Sequence, residues 1–534
     1  MISQDFLKAI APDRGISDSE LEALLLAIEG HSTSDIAKQL GIREEAVRKR
    51  LGEVYKKFHI TGFGPGKLAK LQQLLVSLYQ EHQMRSREQR EPGEKNARSY
   101  QDWEEVPTVS AFYGRTQELA ALEQWIVKDR CRLVALLGIG GIGKTTLTAK
   151  LVKQIQGEFQ FIIWRSLRRT PPINEFLDDL LLCFPHQKTD IPSNTDSKIS
   201  RAIEQLRSSR CLLILDDVEA ILNKGIAGHY REGYESYGEL IRRLGEKPHQ
   251  SCILILSLEK PKEVALLERE NLPARSLQLS GLKAPEAREI LKSKGLPEDS
   301  EWDTLIKLYR GNPLALKIIA TTIQEFFAGS VTEFLQYNTL VIGDISDFLE
   351  QQFDRLSELE KDIMYCLAIA QEPISLPKLR EQFFLPVSPS GLLEALESLR
   401  QRSLIEKGQD SATGFTLQPV IMEFVTNRLV EQVCEEIATQ KLDKIQLLRN
   451  QILFEIPAQN TLKNLETRPI VTRIKNRLFT MFRNEKLIEA KLSEIQSLLQ
   501  DKSPLEIGYV DNNVRYLLEQ FKSKLTSPLK EEQL

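Results

Sequence analysis

Apolar residues along the chain change their spacing several times, and each change predicts a different kind of element. Up to about residue 80 they recur at helical intervals. Within that stretch 34–42 reads as a short amphipathic helix closed by Gly41. Glu44–Lys57 reads as a second helix with Val47, Leu51, Val54 and Phe58 facing inward, and the pair has a helix-turn-helix pattern. From 81 to 110 the periodicity gives way to charged and polar residues, a linker composition. Between 111 and 281 it returns as short, fully apolar runs at 132–138, 159–164, 211–217, 251–257 and 275–281, separated by amphipathic helical stretches. Strands apolar on both faces that alternate with helices predict an α/β domain on a parallel sheet covered from both sides. Residues 282–350 read as helices. Residues 351–430 read as helices ending in two strand-like pieces, 402–407 and 414–417, around a polar turn, the outline of a winged helix. The rest, 431–534, reads as a helical extension, with Leu487, Ala490, Leu492, Ile495, Leu498 and Leu499 at helical spacing.

Composition narrows the partners. At 534 residues the chain is long enough for three or four domains, and 27% charged residues make it an ordinary globular one. Its net charge of −4 supplies no chain-wide field toward nucleic acid or anionic lipid. A local patch is different: 31–70 carries nine bases against four acids. Arg43, Arg48, Lys49 and Arg50 cluster at the start of the second helix, where a helix-turn-helix meets phosphates or base edges. The same face would equally serve a signalling-protein partner, and both readings stand at this point. The six cysteines are scattered without a CxxC pair, which predicts reduced, buried thiols. No uncharged apolar run is long enough to span a bilayer, and the first residues do not form a basic region followed by an apolar core. The expectation is a cytoplasmic protein with no membrane partner.

The sharpest chemistry lies in Gly138, Ile139, Gly140, Gly141, Ile142, Gly143, Lys144, Thr145 and Thr146, a match to G-x-x-x-x-G-K-[ST]. The run follows a predicted strand and opens a predicted helix, as phosphate binding needs. Glycines let successive backbone N–H groups face one anion, and the helix N-terminus adds its positive end. Lys144 would reach the β- and γ-phosphates, and the Thr145 hydroxyl would ligate Mg²⁺. The apolar run at 211–217 ends in Asp216 and Asp217. In a parallel sheet ligands bind beyond the carboxyl ends of strands. Asp216 would therefore hold the Mg²⁺ shell, and Asp217 would orient or deprotonate an attacking water.

Together with Phe112-Tyr-Gly-Arg115, Ser280-Gly-Leu and Gly311-Asn-Pro313-Leu-Ala-Leu-Lys, these motifs resemble in order the NB-ARC ATPases of the signal-transducing STAND class. The resemblance covers about 110–430, and residues 1–80 are similar to LuxR-type helix-turn-helix modules. It implies an ATP/ADP switch that exchanges nucleotide, self-assembles on activation and resets by slow hydrolysis. It also implies that Arg115 contacts the nucleotide and that Pro313 packs against adenine. Two departures stand out. Leu258 occupies the place of the family's γ-phosphate-sensing arginine, leaving Lys260 or an arginine of a second copy to replace it. Leu417-Gln418-Pro419 stands where the family has a His-Asp pair near ADP. The alternative is a transcription regulator in which the same engine controls DNA binding. Continuous mechanical work is disfavoured by Leu258. No repeat of 20–50 residues is present. A signal would then be read by the helices beyond 430 or by a separate partner.

Overall fold

The computed structural model describes residues 11, 14, 16–28, 33–58, 71, 75, 100–102, 106, 111–184, 192–270, 272–337, 339–408, 414–453 and 469–522. The chain divides into two compact units, Met1–Ala97 and Arg98–Leu534.

In the first unit, helices Asp18–Ile28, Thr33–Leu40 and Glu44–Lys57 bury the positions their periodicity selects. Val47, Leu51, Val54 and Phe58 are all buried, the first two against Ala23, Ala27, Ile36 and Ala37. Gly41 takes φ 65° after Leu40, and the Ile42 N–H closes back on the Ala37 carbonyl at 3.1 Å, so the short helix stops where its glycine predicts.

The second unit is built on a six-stranded sheet of β1 (Tyr100–Asp102), β2 (Leu133–Leu137), β3 (Phe161–Ser166), β4 (Cys211–Asp216), β5 (Cys252–Ser257) and β6 (Ala274–Gln278). Its order is β1-β3-β4-β5-β2-β6, and every pairing is parallel. Successive residues of each central strand alternate between two cores, as the pleat requires. Leu133, Ala135, Ile163, Leu213, Leu215, Ile253 and Ile255 face one, and Val134, Leu136, Ile162, Trp164, Ile214 and Leu254 face the other. All five apolar runs are therefore strands. The sixth strand, β1, lies within the stretch whose composition reads as a linker. Three residues, Tyr-Gln-Asp, carry no apolar pattern, and only pairing with β3 makes them a strand.

The described residues between 282 and 522 are mainly helical, and one cluster of buried apolar side chains runs through them. Helix Asp344–Phe353 runs through 350 and helix Pro419–Thr439 runs through 430; neither contains the glycine or interior proline that would mark a break. The strand-like pieces form β8 (Ile405–Lys407) and β9 (Gly414–Leu417), which pair antiparallel. The short β7 (Ile374–Ser375) pairs with β9 on its other side. Farther along, helix Glu485–Leu498 buries Leu492 and Ile495 but leaves Leu487 and Leu498 exposed, so the inward stripe is narrower than its spacing implies. All six cysteines are buried and none is joined in a disulfide, and burial pushes the thiols of Cys131, Cys211, Cys252, Cys366 and Cys434 up. No described helix is long and apolar enough to cross a membrane.

Candidate phosphate-binding site

β2 sits between β5 and β6, so the chain leaving it reverses the order of the sheet, and the crevice at its carboxyl end is where ligands bind in such folds. There the loop 138–143 turns into helix Lys144–Ile155. Gly143 caps that helix with φ 100°, a left-handed backbone that glycine adopts without strain. Gly140 is constrained differently: a β-carbon there would collide with the ring of Phe348. Loop and helical region are in direct contact. Asn312 caps helix Pro313–Phe326 through its side-chain oxygen while its Nδ2 donates to the Gly140 carbonyl at 3.1 Å, and the Leu314 N–H reaches the Gly141 carbonyl at 3.3 Å.

Register brings the acidic strand end to the loop. The Thr145 hydroxyl donates to Asp216 Oδ2 at 3.1 Å across 71 residues of sequence. Lys144 Nζ donates to the carbonyls of Gly138 and Ile139 at 2.8 and 3.3 Å. Asp217 takes a left-handed φ of 55°, and its Oδ2 accepts from the Ser166 hydroxyl at 2.8 Å. Arg115, buried and also left-handed, donates to the Ile142 carbonyl at 3.2 Å and pairs with Glu118 at 2.9 Å.

A cavity of about 790 Å³ joins these groups. Gly140 to Thr146, Arg115, Asp216, Asp217 and Pro313 line it, whereas Gly138 and Ile139 do not; Ile139 lines a smaller apolar hollow with Phe348 and Gln418. Gln418 donates to the Ser403 carbonyl at 3.4 Å. Leu258 lines the large cavity, but Lys260 is absent from its lining and is paired with Glu268 at 2.8 Å. Sequence reasoning missed Glu219, Arg168, Lys224, Phe348 and Arg355, all of which line it. Glu219 is the most telling, because its Oε2 accepts the Leu258 N–H at 3.2 Å and so ties the end of β4 to the end of β5.

Burial governs the charges. It lowers the pKa of Lys144 against the opposing fields of Glu219, Asp216 and Asp217. It raises that of Glu219, with Lys144 opposing. For Asp216, burial first and the Asp217 charge second push the carboxyl up to about 6, despite hydrogen bonds from the Asp217 N–H and Thr145. A hydroxyl and a carboxylate held 3.1 Å apart beside a phosphate loop are the hard oxygen donors that Mg²⁺ takes, so these residues fit that ion. Asp216 must be ionised to ligate it. Mg²⁺ affinity is therefore expected to fall about tenfold between pH 7 and pH 5 as the carboxyl takes up its proton. Titration of Mg²⁺ by calorimetry at the two pH values checks this, and Asp216→Asn should flatten the profile. The stability sign runs the other way. A folded-state value above the ordinary one means that the native state binds the extra proton between about pH 4 and 6, so the metal-free protein loses stability as pH rises through that window.

The four basic residues of the first unit are less converged. Arg43, Arg48 and Lys49 are exposed, but Arg48 pairs with Glu44 at 3.1 Å, and half-buried Arg50 donates to the Ser19 carbonyl at 3.2 Å.

Comparison with known proteins agrees with the motif reading. The model described as the NB-ARC domain matches residues 115–224, which include the loop, Thr145 and both aspartates. Over residues 115–224 the chain is similar to NB-ARC domains. An uncharacterized WD repeat-containing protein of Nostoc sp. is 42% identical over 462 residues, which are 78% of this chain and 36% of that protein. A probable disease resistance protein of Arabidopsis thaliana is 25% identical over 41% of this chain and 30% of its own length. The chain thus spans about a third of the length of these curated relatives. Among solved structures, a STAND protein with a tetratricopeptide repeat sensor from Pyrococcus horikoshii is 18% identical at a TM-score of 0.30, covering 79% of this chain and 60% of that one.

Proposed function

We propose that this chain is an ATP- and ADP-binding signalling switch in which the bound nucleotide sets how the helical region packs on the sheet. One observation carries the reading: the phosphate loop is hydrogen-bonded to Asn312 and Leu314, and its cavity is lined jointly by Lys144, Asp216, Pro313 and Arg355. A ligand held by the loop therefore touches the helical region as well.

In this reading the loop N–H groups and the N-terminus of helix Lys144–Ile155 hold the phosphates. Lys144 leaves the Gly138 and Ile139 carbonyls for the β- and γ-oxygens. Thr145 and Asp216 hold Mg²⁺, which neutralises phosphate charge when bound. Arg115 steadies the loop through Ile142, and Pro313 closes the cavity on the side where adenine would lie. Asp217, kept in place by Ser166, orients or deprotonates the attacking water. Hydrolysis is slow. A cation on the γ-phosphate is worth about 10³–10⁵ in rate; Leu258 is apolar, and Arg355 is held on Glu259. Residues 1–80 act as a helix-turn-helix output module, and residues 351–430 supply the winged-helix part of the engine. DNA, met through Arg43, Arg48, Lys49 and Arg50, is the alternative partner of the output module, and Arg48 and Arg50 would leave Glu44 and the Ser19 carbonyl to reach it.

The experiment is to identify nucleotide in the purified chain by mass spectrometry and to measure its mass by light scattering with ADP and with ATP. ADP in a monomer and larger particles with ATP are expected. A chain that binds neither nucleotide, or whose mass is the same with both, would sink the switch.

A further inference from the structure

β5 ends at Ser257, and two residues later Glu259 has no solvent exposure at all. A carboxylate so placed is costly unless donors surround it. Two donate and one pairs by charge: the Gly228 N–H reaches Oε2 at 3.3 Å, Arg355 Nη2 donates to Oε1, and Arg402 Nη2 forms an ion pair with Oε2 at 3.0 Å. Both arginines come from the helical region: Arg355 from the turn between helices Asp344–Phe353 and Glu358–Ala370, Arg402 from the end of helix Pro389–Gln401. Arg402 also lies 3.8 Å from Glu360, a buried carboxylate that caps its own helix with Ser357. Two acids and two bases thus make a neutral, buried clasp between the end of the sheet and the helices.

Arg355 differs from Arg402 in a decisive way. It lines the same cavity as Lys144, Asp217, Glu219 and Leu258, which Arg402 does not; a buried Nε without a hydrogen-bond partner is common to both arginines. Its backbone is fixed, since its carbonyl accepts from the Gly225 N–H at 2.8 Å and from Arg402 Nη1 at 3.3 Å. The side chain can therefore turn while the turn that carries it stays in place. On the move Glu259 keeps Gly228 and Arg402 on Oε2 and gives up the Arg355 donor on Oε1.

We propose that Arg355 is the cation by which this chain distinguishes ATP from ADP, resting on Glu259 when no γ-phosphate is present and turning from it to the γ-phosphate when one is. The inference rests on the nucleotide reading above. A guanidinium presents a planar fork that suits phosphate oxygens as well as a carboxylate, so the exchange keeps its charge paired throughout. It also opens one arm of the clasp, which gives the triphosphate a direct way to loosen the helices from the end of β5. The departure at Leu258 then has a counterpart: a cation absent from the strand end is supplied from across the interface.

Affinities of the full chain for ATP and for ADP, measured by calorimetry with Mg²⁺, test this. Arg355→Gln should lower the ratio of ATP to ADP affinity about tenfold, the size of one charge-assisted hydrogen bond. Glu259→Gln keeps an acceptor but gives up the charge that holds Arg355, and should raise the ratio. Unchanged ratios in both variants overturn the proposal. Should Arg355→Gln fail to fold, Glu259→Gln decides alone, and a ratio that stays level or falls overturns it. A parent chain that binds neither nucleotide overturns the switch reading and this inference with it. A parent that binds both, with variants that match it, overturns only the inference.

Discussion

Replacing Lys144 with alanine is expected to weaken ATP binding at least about 100-fold while leaving the circular dichroism of the chain as it was. The ammonium contacts only the Gly138 and Ile139 carbonyls of its own loop and none of the apolar core, so its loss creates no cavity. Hydrogen bonds to charged groups contribute about 1.5–3 kcal/mol each, and a lysine that reaches two phosphates loses both. Its removal also leaves Glu219, Asp216 and Asp217 facing an incoming polyanion without their nearest cation. Calorimetric titration with ATP and Mg²⁺ is the measurement, and equal affinity in variant and parent would remove Lys144 from the site.

Glu259→Ala should produce the largest loss of stability, about 3–5 kcal/mol, because deleting one partner of a buried ionic cluster leaves the others uncompensated. Arg402 is only 5% exposed and keeps the Arg355 carbonyl at 3.3 Å and, as its remaining carboxylate, Glu360 at 3.8 Å. Urea unfolding reports this as a lower midpoint of the transition that includes the helices after 344. Adding Arg402→Met to Glu259→Ala should recover much of the loss, since a buried pair replaced by apolar groups of similar volume is often neutral. A single variant as stable as the parent would mean that water already reaches the cluster.

Local sequence was sufficient where one physical requirement dominates. Strands buried on both faces have no choice but to be apolar, so β2 to β5 stand out, whereas the edge strand β6 is largely uncovered and mixed in sequence; a loop that must wrap phosphate and start a helix leaves a nearly unique string of residues. Tertiary relations were not legible in the same way. β1 is a strand because β3 offers it an edge. Gly140 must be glycine partly because Phe348, more than two hundred residues later, presses on it. Glu219 reads as an ordinary residue after two aspartates until its bond to the Leu258 N–H is seen. The stretch 258–260 reads as a charged turn, and nothing in Leu-Glu-Lys signals that the middle residue is the most buried acid near the site. Arg355 follows a helix that ends in polar residues, a setting in which arginines are usually solvated. Its significance appears only when two distant segments fold against one carboxylate.

The burial of every cysteine has a practical consequence for observing the switch. A thiol reagent that reacts through the thiolate finds no accessible native target, so a cysteine introduced at the surface would be labelled against a silent background. Tyr337 and Leu505 are both well exposed, 69% and 68%, and they lie on different parts of the helical region. Fluorophores attached at these two positions would turn opening of the clasp into a change of energy transfer, read in real time as ATP replaces ADP, without removing a single native residue from the core.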